Sequence, residues 1–81
     1  LFFLNYPNPF SSETTFSFNS TTAPNEIEIF DLNGQKIVSL NICEGKPSIS
    51  LNTEKFSDGV YIAQLLSNNN IIATKKLVKM K

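Results

Sequence analysis

Two alternating runs, Glu26-Ile27-Glu28-Ile29-Phe30-Asp31-Leu32 and Gln35-Lys36-Ile37-Val38-Ser39-Leu40, flank Asn33-Gly34, and no other feature constrains the chain as much. Asn-Gly between such runs is the strongest short-range signal for a hairpin closed by a two-residue type I′ turn. That closure sets Leu32 opposite Gln35, Asp31 opposite Lys36, Phe30 opposite Ile37, Ile29 opposite Val38, Glu28 opposite Ser39 and Ile27 opposite Leu40. One face then collects Ile27, Ile29, Val38 and Leu40 and is assigned to the core. The other holds Glu26, Glu28 and Ser39 together with Phe30 and Ile37, an apolar pair facing solvent or a neighbouring domain. Asp31 caps the turn or pairs with Lys36.

The rest of the chain repeats this behaviour. No window of eleven residues keeps apolar side chains at helical spacing, whereas short runs rich in Ile, Val, Phe and Thr recur between Asn, Gly, Pro and Ser clusters. Strands are expected at roughly 2–5, 13–19, 26–32, 35–40, 48–52, 60–67 and 71–79, a spacing typical of a small antiparallel sandwich. The pattern predicts an all-β fold of about seven strands in a single domain spanning 1–81. Thr14, Phe16 and Phe18 share one face of their strand and belong inside. Val60-Tyr61-Ile62-Ala63-Gln64-Leu65-Leu66 is apolar on both faces and reads as a central strand covered on both sides, or nearly so. Asn68-Asn69-Asn70 turns it into the last strand through a loop of two or three residues. Tyr6-Pro7-Asn8-Pro9-Phe10 has two fixed φ angles and two missing donors, which predicts a rigid extended turn whose rings pack over one end of the core.

Chemistry is sparse. The 81 residues contain no His, which removes the commonest general base, the Ser or Cys triad and most zinc sites together. The glycines are single and far apart, so there is no phosphate cradle, and Asp31 as the start of a calcium loop would put Ile42 where a bidentate Glu is required. Nothing calls for a cofactor or a metal, and the chain reads as a non-enzyme. Cys43 cannot form an internal disulfide because it is the only cysteine, and it is expected to be a small half-buried hydrophobe. Tyr6, Phe10 and Tyr61 could stack on a sugar or base, with core packing the favoured role. Asn19-Ser20-Thr21 forms a glycosylation triplet of the kind that arises by chance in such a composition.

Charge is polarised along the chain. All seven acids precede residue 59, while Lys75, Lys76, Lys79 and Lys81 lie in the last seven positions. A recognition end and an aggregation-resistant edge strand produce the same pattern. Zero net charge without a single Arg argues against nucleic-acid binding. The longest apolar run, Leu1 to Leu4, is too short for membrane insertion. The start at Leu suggests a segment cut from a longer secreted polypeptide.

Four segments, taken in order, resemble the C-terminal sorting domain (type A) of cargo proteins of the type IX, or Por, secretion system of Bacteroidetes. They are Tyr6-Pro7-Asn8-Pro9-Phe10, then Glu28-Ile29-Phe30-Asp31-Leu32-Asn33-Gly34-Gln35-Lys36, then Asp58-Gly59-Val60-Tyr61-Ile62, then Thr74-Lys75-Lys76-Leu77-Val78-Lys79. The resemblance covers nearly the whole chain and implies an immunoglobulin-like β-sandwich. It also implies a secretion signal that directs its cargo through the periplasm to the cell surface or the extracellular space. The implied partners are the shuttle and translocon of the outer membrane and a sortase that removes the domain, with a cut expected in or upstream of Leu1 to Tyr6. Motif matching marks Gly59, Val60, Tyr61, Lys75, Lys76, Leu77, Val78 and Lys79 as recognition residues. In that reading Gly59 turns the chain into the central strand, Tyr61 buries its ring with its hydroxyl at the surface, and the lysines offer charge to an acidic groove. The rival reading is an immunoglobulin-like accessory module that binds carbohydrate through exposed aromatics. Edge strands of a small sandwich can also mediate self-association.

Overall fold

The computed structural model describes residues 2–19, 23–43 and 45–80. It contains seven strands: β1 (Phe2–Tyr6), β2 (Glu13–Asn19), β3 (Glu26–Asp31), β4 (Lys36–Asn41), β5 (Ser48–Asn52), β6 (Gly59–Ser67) and β7 (Asn70–Lys79). They form two antiparallel sheets, one ordered β1-β2-β5 and the other β4-β3-β6-β7. The fold is the small immunoglobulin-like β-sandwich that the strand spacing and the resemblance imply.

The inner faces follow the period-two pattern of the sequence. Phe3, Phe16, Phe18, Ile27, Ile29, Ala63, Leu65 and Leu77 are buried between the sheets, with Val38, Leu40, Ile49 and Leu51 packed half-buried against them. Phe3 stacks on Phe16 at a ring separation of 5.7 Å, which ties the edge strand β1 to the centre of its sheet. The expectation that a cut within Leu1 to Tyr6 leaves the folded domain intact is therefore corrected, while its alternative, a cut upstream of them, does not disturb the strand. Residues 2–6 pair with β2 along their whole length, and Phe3 and Asn5 are buried, so a cut within them would remove a strand of the fold.

The β3–β4 hairpin keeps the expected register far from its turn and departs from it nearby. Ile27 pairs with Leu40, Glu28 with Ser39 and Ile29 with Val38, but Phe30 pairs with Lys36 across a bulge that leaves Ile37 over. The turn is Asp31-Leu32-Asn33-Gly34, closed by a Gly34 N–H to Asp31 O bond of 3.1 Å, with Gly34 at φ +84° and Asn33 outside the positive-φ region. A type I′ turn needs positive φ at both central residues, so it is not this one. The reason is Asp31, whose Oδ1 accepts from the amides of Asn33 (2.9 Å) and Gln35 (3.0 Å). Asp at the first position and Gly at the fourth are the signature of a type I turn. The loop takes one residue more than expected and the bulge absorbs it, leaving the core pairs unchanged. Lys36 meets Glu28 at 2.8 Å rather than Asp31. That hydrogen bond and the Glu28 charge hold the ammonium above the ordinary lysine range. This small exposed contribution is present through neutral pH and is lost as pH rises through the raised value.

The type I′ geometry appears instead at the β6–β7 turn. Asn68 and Asn69 lie at φ +51° and +70°, and Ser67 pairs with Asn70, so the loop has two residues. A bulge at Leu65/Leu66 then shifts the register of β7 by one residue. β6 is central in its sheet, between β3 and β7, with Tyr61, Ala63 and Leu65 buried inward. Its outer residues Val60, Ile62 and Gln64 are half-buried, because only cross-strand neighbours and no further layer shield them. Cys43 is exposed, contrary to expectation, since Ile42 takes the last inward position after β4 and Cys43 begins a loop. Ser20 and Thr21 of the glycosylation triplet and Glu44 lie outside the described residues.

Replacing Asp31 by Ala removes both turn bonds without touching the core, and a loss of about 1 kcal/mol is expected. Urea denaturation checks it, with the midpoint falling at unchanged slope.

Candidate recognition site

The four segments that carry the family resemblance, scattered over the sequence, lie side by side along one sheet and its covered edge. Phe30 pairs with Ile62 and Asp31 with Tyr61 across β3 and β6. Across β6 and β7, Gly59 pairs with Lys79, Val60 with Val78, Tyr61 with Leu77, Ile62 with Lys76 and Ala63 with Lys75. The free side of β7 is then closed by residues 8–10. Phe10 N–H donates to Val78 O and Met80 N–H donates to Phe10 O, both at 2.9 Å. Two residues earlier the Asn8 side chain takes over the role of a strand: its Oδ1 accepts from Val78 N–H at 3.0 Å and its Nδ2 donates to Lys76 O at 3.3 Å. The Pro-rich turn is thus an edge cover, which suits residues that cannot donate to a ladder themselves. Pro7 is held by its carbonyl, which accepts from Thr14 Oγ1 at 3.0 Å.

Alternation divides the eight sequence-marked residues into two groups. Val60, Val78 and Lys76 face outward, the valines half-buried and the lysine exposed, beside outward-facing Phe30 and Ile62. Tyr61, Leu77 and Lys79 face inward and are buried, with Lys75 half-buried on the same side. Gly59 sits at φ +147°, a conformation reserved in practice for glycine, where the chain turns into β6.

The inward group holds the site together. Phe56 packs tilted on Tyr61 at 5.1 Å and edge-on to Phe10 at 6.2 Å, so the ring cluster seats the edge cover against the core. The Tyr61 ring is buried, and its hydroxyl donates to the Ser57 carbonyl at 2.6 Å in a partly buried bond, four residues upstream at the corner entering β6. This is the tyrosine corner of immunoglobulin-like sandwiches. Lys79 is 6% exposed, and its ammonium donates to Thr53 O at 2.6 Å and to Ser11 O. Thr53 Oγ1 also donates to Ser11 O, at 2.9 Å. Lys79 therefore fastens the loop after residue 10 to the end of β5, and its charge is spent on carbonyls inside the molecule. The expectation that it offers charge to a groove is corrected for this residue, and among the described lysines of the tail Lys75 and Lys76 remain available.

Tyr6 departs furthest from expectation. It was expected to pack on the core, yet it is 82% exposed, because Phe2, Leu4 and Tyr6 occupy the outward positions of β1. Sequence reasoning missed Asn8 altogether. Its signal is a carboxamide between two prolines, the side chain best able to imitate a peptide group where the backbone lacks donors.

Residues 5–80 match the family model for the secretion system C-terminal sorting domain. No curated protein matches the chain.

Lys79→Met keeps the aliphatic stem and removes the ammonium, taking the donor from the Thr53 carbonyl and leaving that of Ser11 with Thr53 Oγ1 alone. A loss of about 2 kcal/mol is expected, a Tm fall of roughly 8–16 °C. Lys76→Met is expected to leave Tm unchanged, so calorimetry on the pair separates the two lysines.

Proposed function

The chain belongs to the secretion system C-terminal sorting domain family, and from that premise we propose that its β6–β7 surface is the address read by the type IX export machinery. As a member of this family it is a type IX secretion sorting signal of Bacteroidetes cargo, directing export to the cell surface or the extracellular space. The finer steps are recognition by the outer-membrane shuttle and translocon, followed by removal of the domain by a sortase.

The observation that carries this reading is the convergence of all four motif segments along one sheet and its covered edge. A label must present its determinants together, and the outward members of these segments, Val60, Val78 and Lys76 beside Phe30 and Ile62, share one face while the inward members support it. In this scheme Val60, Val78 and Lys76 make contact, with Lys75 at the margin, as an apolar strip flanked by positive charge. Gly59, Tyr61, Leu77 and Lys79 keep the strip in shape from behind. A sortase cut that spares the fold lies before Phe2, since β1 is integral to the sandwich. The domain acts as substrate and signal and performs no reaction.

Fusion of residues 1–81 to a periplasm-directed fluorescent protein is expected to bring the reporter to the surface of a type IX-competent host. Lys76→Glu and Val78→Thr together are expected to strand it in the periplasm with its thermal unfolding intact. Surface delivery undiminished by these substitutions, in a fusion that is folded, refutes the assigned contact surface. Deleting the last strand is uninformative, because Leu77 and Lys79 are part of the interior.

A further inference from the structure

The two sides of the sandwich are finished differently. On one side β7 carries lysines and is covered by Asn8 and Phe10. On the other side the sheets end in β4 and β5. Lysines, prolines and covering segments are the usual devices that keep an edge from pairing with another chain. β5, Ser-Ile-Ser-Leu-Asn at 48–52, contains no charge and no proline, and β4 carries its one charge, Lys36, at the end next to the turn, where it is paired with Glu28.

Hydrogen bonds identify the free groups. Phe18 N–H donates to Pro47 O at 3.2 Å and Thr53 N–H to Ser12 O at 2.9 Å. By the alternation of an antiparallel ladder, Ile49 and Leu51 then bond to β2, while Ser48, Ser50 and Asn52 turn their N–H and C=O groups away from it. Likewise the Ile42 N–H to Asn25 O bond of 3.0 Å places Val38 and Leu40 on the β3 ladder and turns Ser39 and Asn41 outward.

The β5 edge reads alike in either direction. A two-fold axis through Ser50 sets Ile49 against Leu51 and Ser48 against Asn52 of a second copy. In β4 an axis through Ser39 sets Val38 against Leu40 but Ile37 against Asn41, so β5 is the better matched of the two edges. Such self-complementarity is what an isologous contact requires, and a charged or asymmetric partner would gain nothing from it. We infer that the chain forms a two-fold dimer through β5, extending β1-β2-β5 into a six-stranded sheet, with the β4 edges brought alongside. The half-buried Ile49, Leu51, Val38 and Leu40 at the mouth of the sandwich lose their remaining exposure in it. A strand of five residues in a sandwich about 10 Å deep offers roughly 300–400 Å² per copy, below the size of a stable interface. The dimer is accordingly weak, with a dissociation constant on the order of 100 µM. It concerns the folded domain alone and does not depend on the sorting role.

Sedimentation equilibrium of the 81-residue chain from roughly 10 µM to 2 mM tests this range. The expected result is reversible dimerisation that Ser50→Pro abolishes, since it removes an outward N–H and no β2 ladder bond. Ser50→Lys, which opposes two like charges across the axis, weakens it by about tenfold or more and serves if circular dichroism shows the proline variant unfolded. Thr74→Pro, on the free part of the β7 edge, leaves it intact. A chain that stays monomeric at about 2 mM overturns the inference, as does a dimer that survives Ser50→Lys or is abolished by Thr74→Pro.

Discussion

The seam between residues 8–10 and the strand from Lys76 to Met80 is the interaction on which the rest of this structure depends. A seven-stranded sandwich has four sheet edges, and each is a row of unpaired backbone groups. Here one of those rows is closed from within, by a backbone segment for two bonds and by a carboxamide acting as a peptide group for two more. Because Phe10 is 1% exposed and reaches the ring cluster of Phe56 and Tyr61, closing the edge and completing the core are one event. Lys79 locks the same corner through Ser11 and Thr53.

Most of the fold was legible because its period is simple. Alternation placed Thr14, Phe16, Phe18, Ile27 and Ile29 inside, and the structure agrees at each. Turn chemistry was harder to read, since it depends on which residue wins a local competition. Asn33-Gly34 signals a type I′ turn, but the carboxylate of Asp31 captures two amides and selects type I. At Asn68-Asn69 the one side-chain acceptor on a turn amide, Asn25 Oδ1 on Asn68 N–H at 3.2 Å, comes from outside the turn, and the primed turn forms. That the core pairs of β3 and β4 are the same in either turn shows the hydrophobic face dominating register, with the bulge at Ile37 as the adjustment.

The site was legible in its members and not in their orientation. Spacing and motif marked Gly59 to Tyr61 and Lys75 to Lys79, and their pairing across β6 and β7 follows once the Asn turn is given two residues and a bulge. The bulge is what escaped, and it decides which lysines face out. Composition suggests that a lysine on an edge strand belongs to the solvent; Lys79 is inside because carbonyls of Ser11 and Thr53 converge there from segments distant in sequence. The partner of the Tyr61 hydroxyl escaped for the same reason, its acceptor at Ser57 being a product of the corner and not of the strand.

A further consequence follows from the stitching of Asn8 to Val78. Residues near the two extremes of the described chain must both be in hand before the β7 edge is closed, and with most of the organising contacts long-range, folding is correspondingly slow. A chain broken off before Val78 has neither a last strand nor anything for its Pro-rich turn to hold. The two ends of the described chain therefore vouch for one another: without Val78 and Met80 the turn at Asn8 and Phe10 has nothing to grip, and the ring cluster beneath it loses its cover.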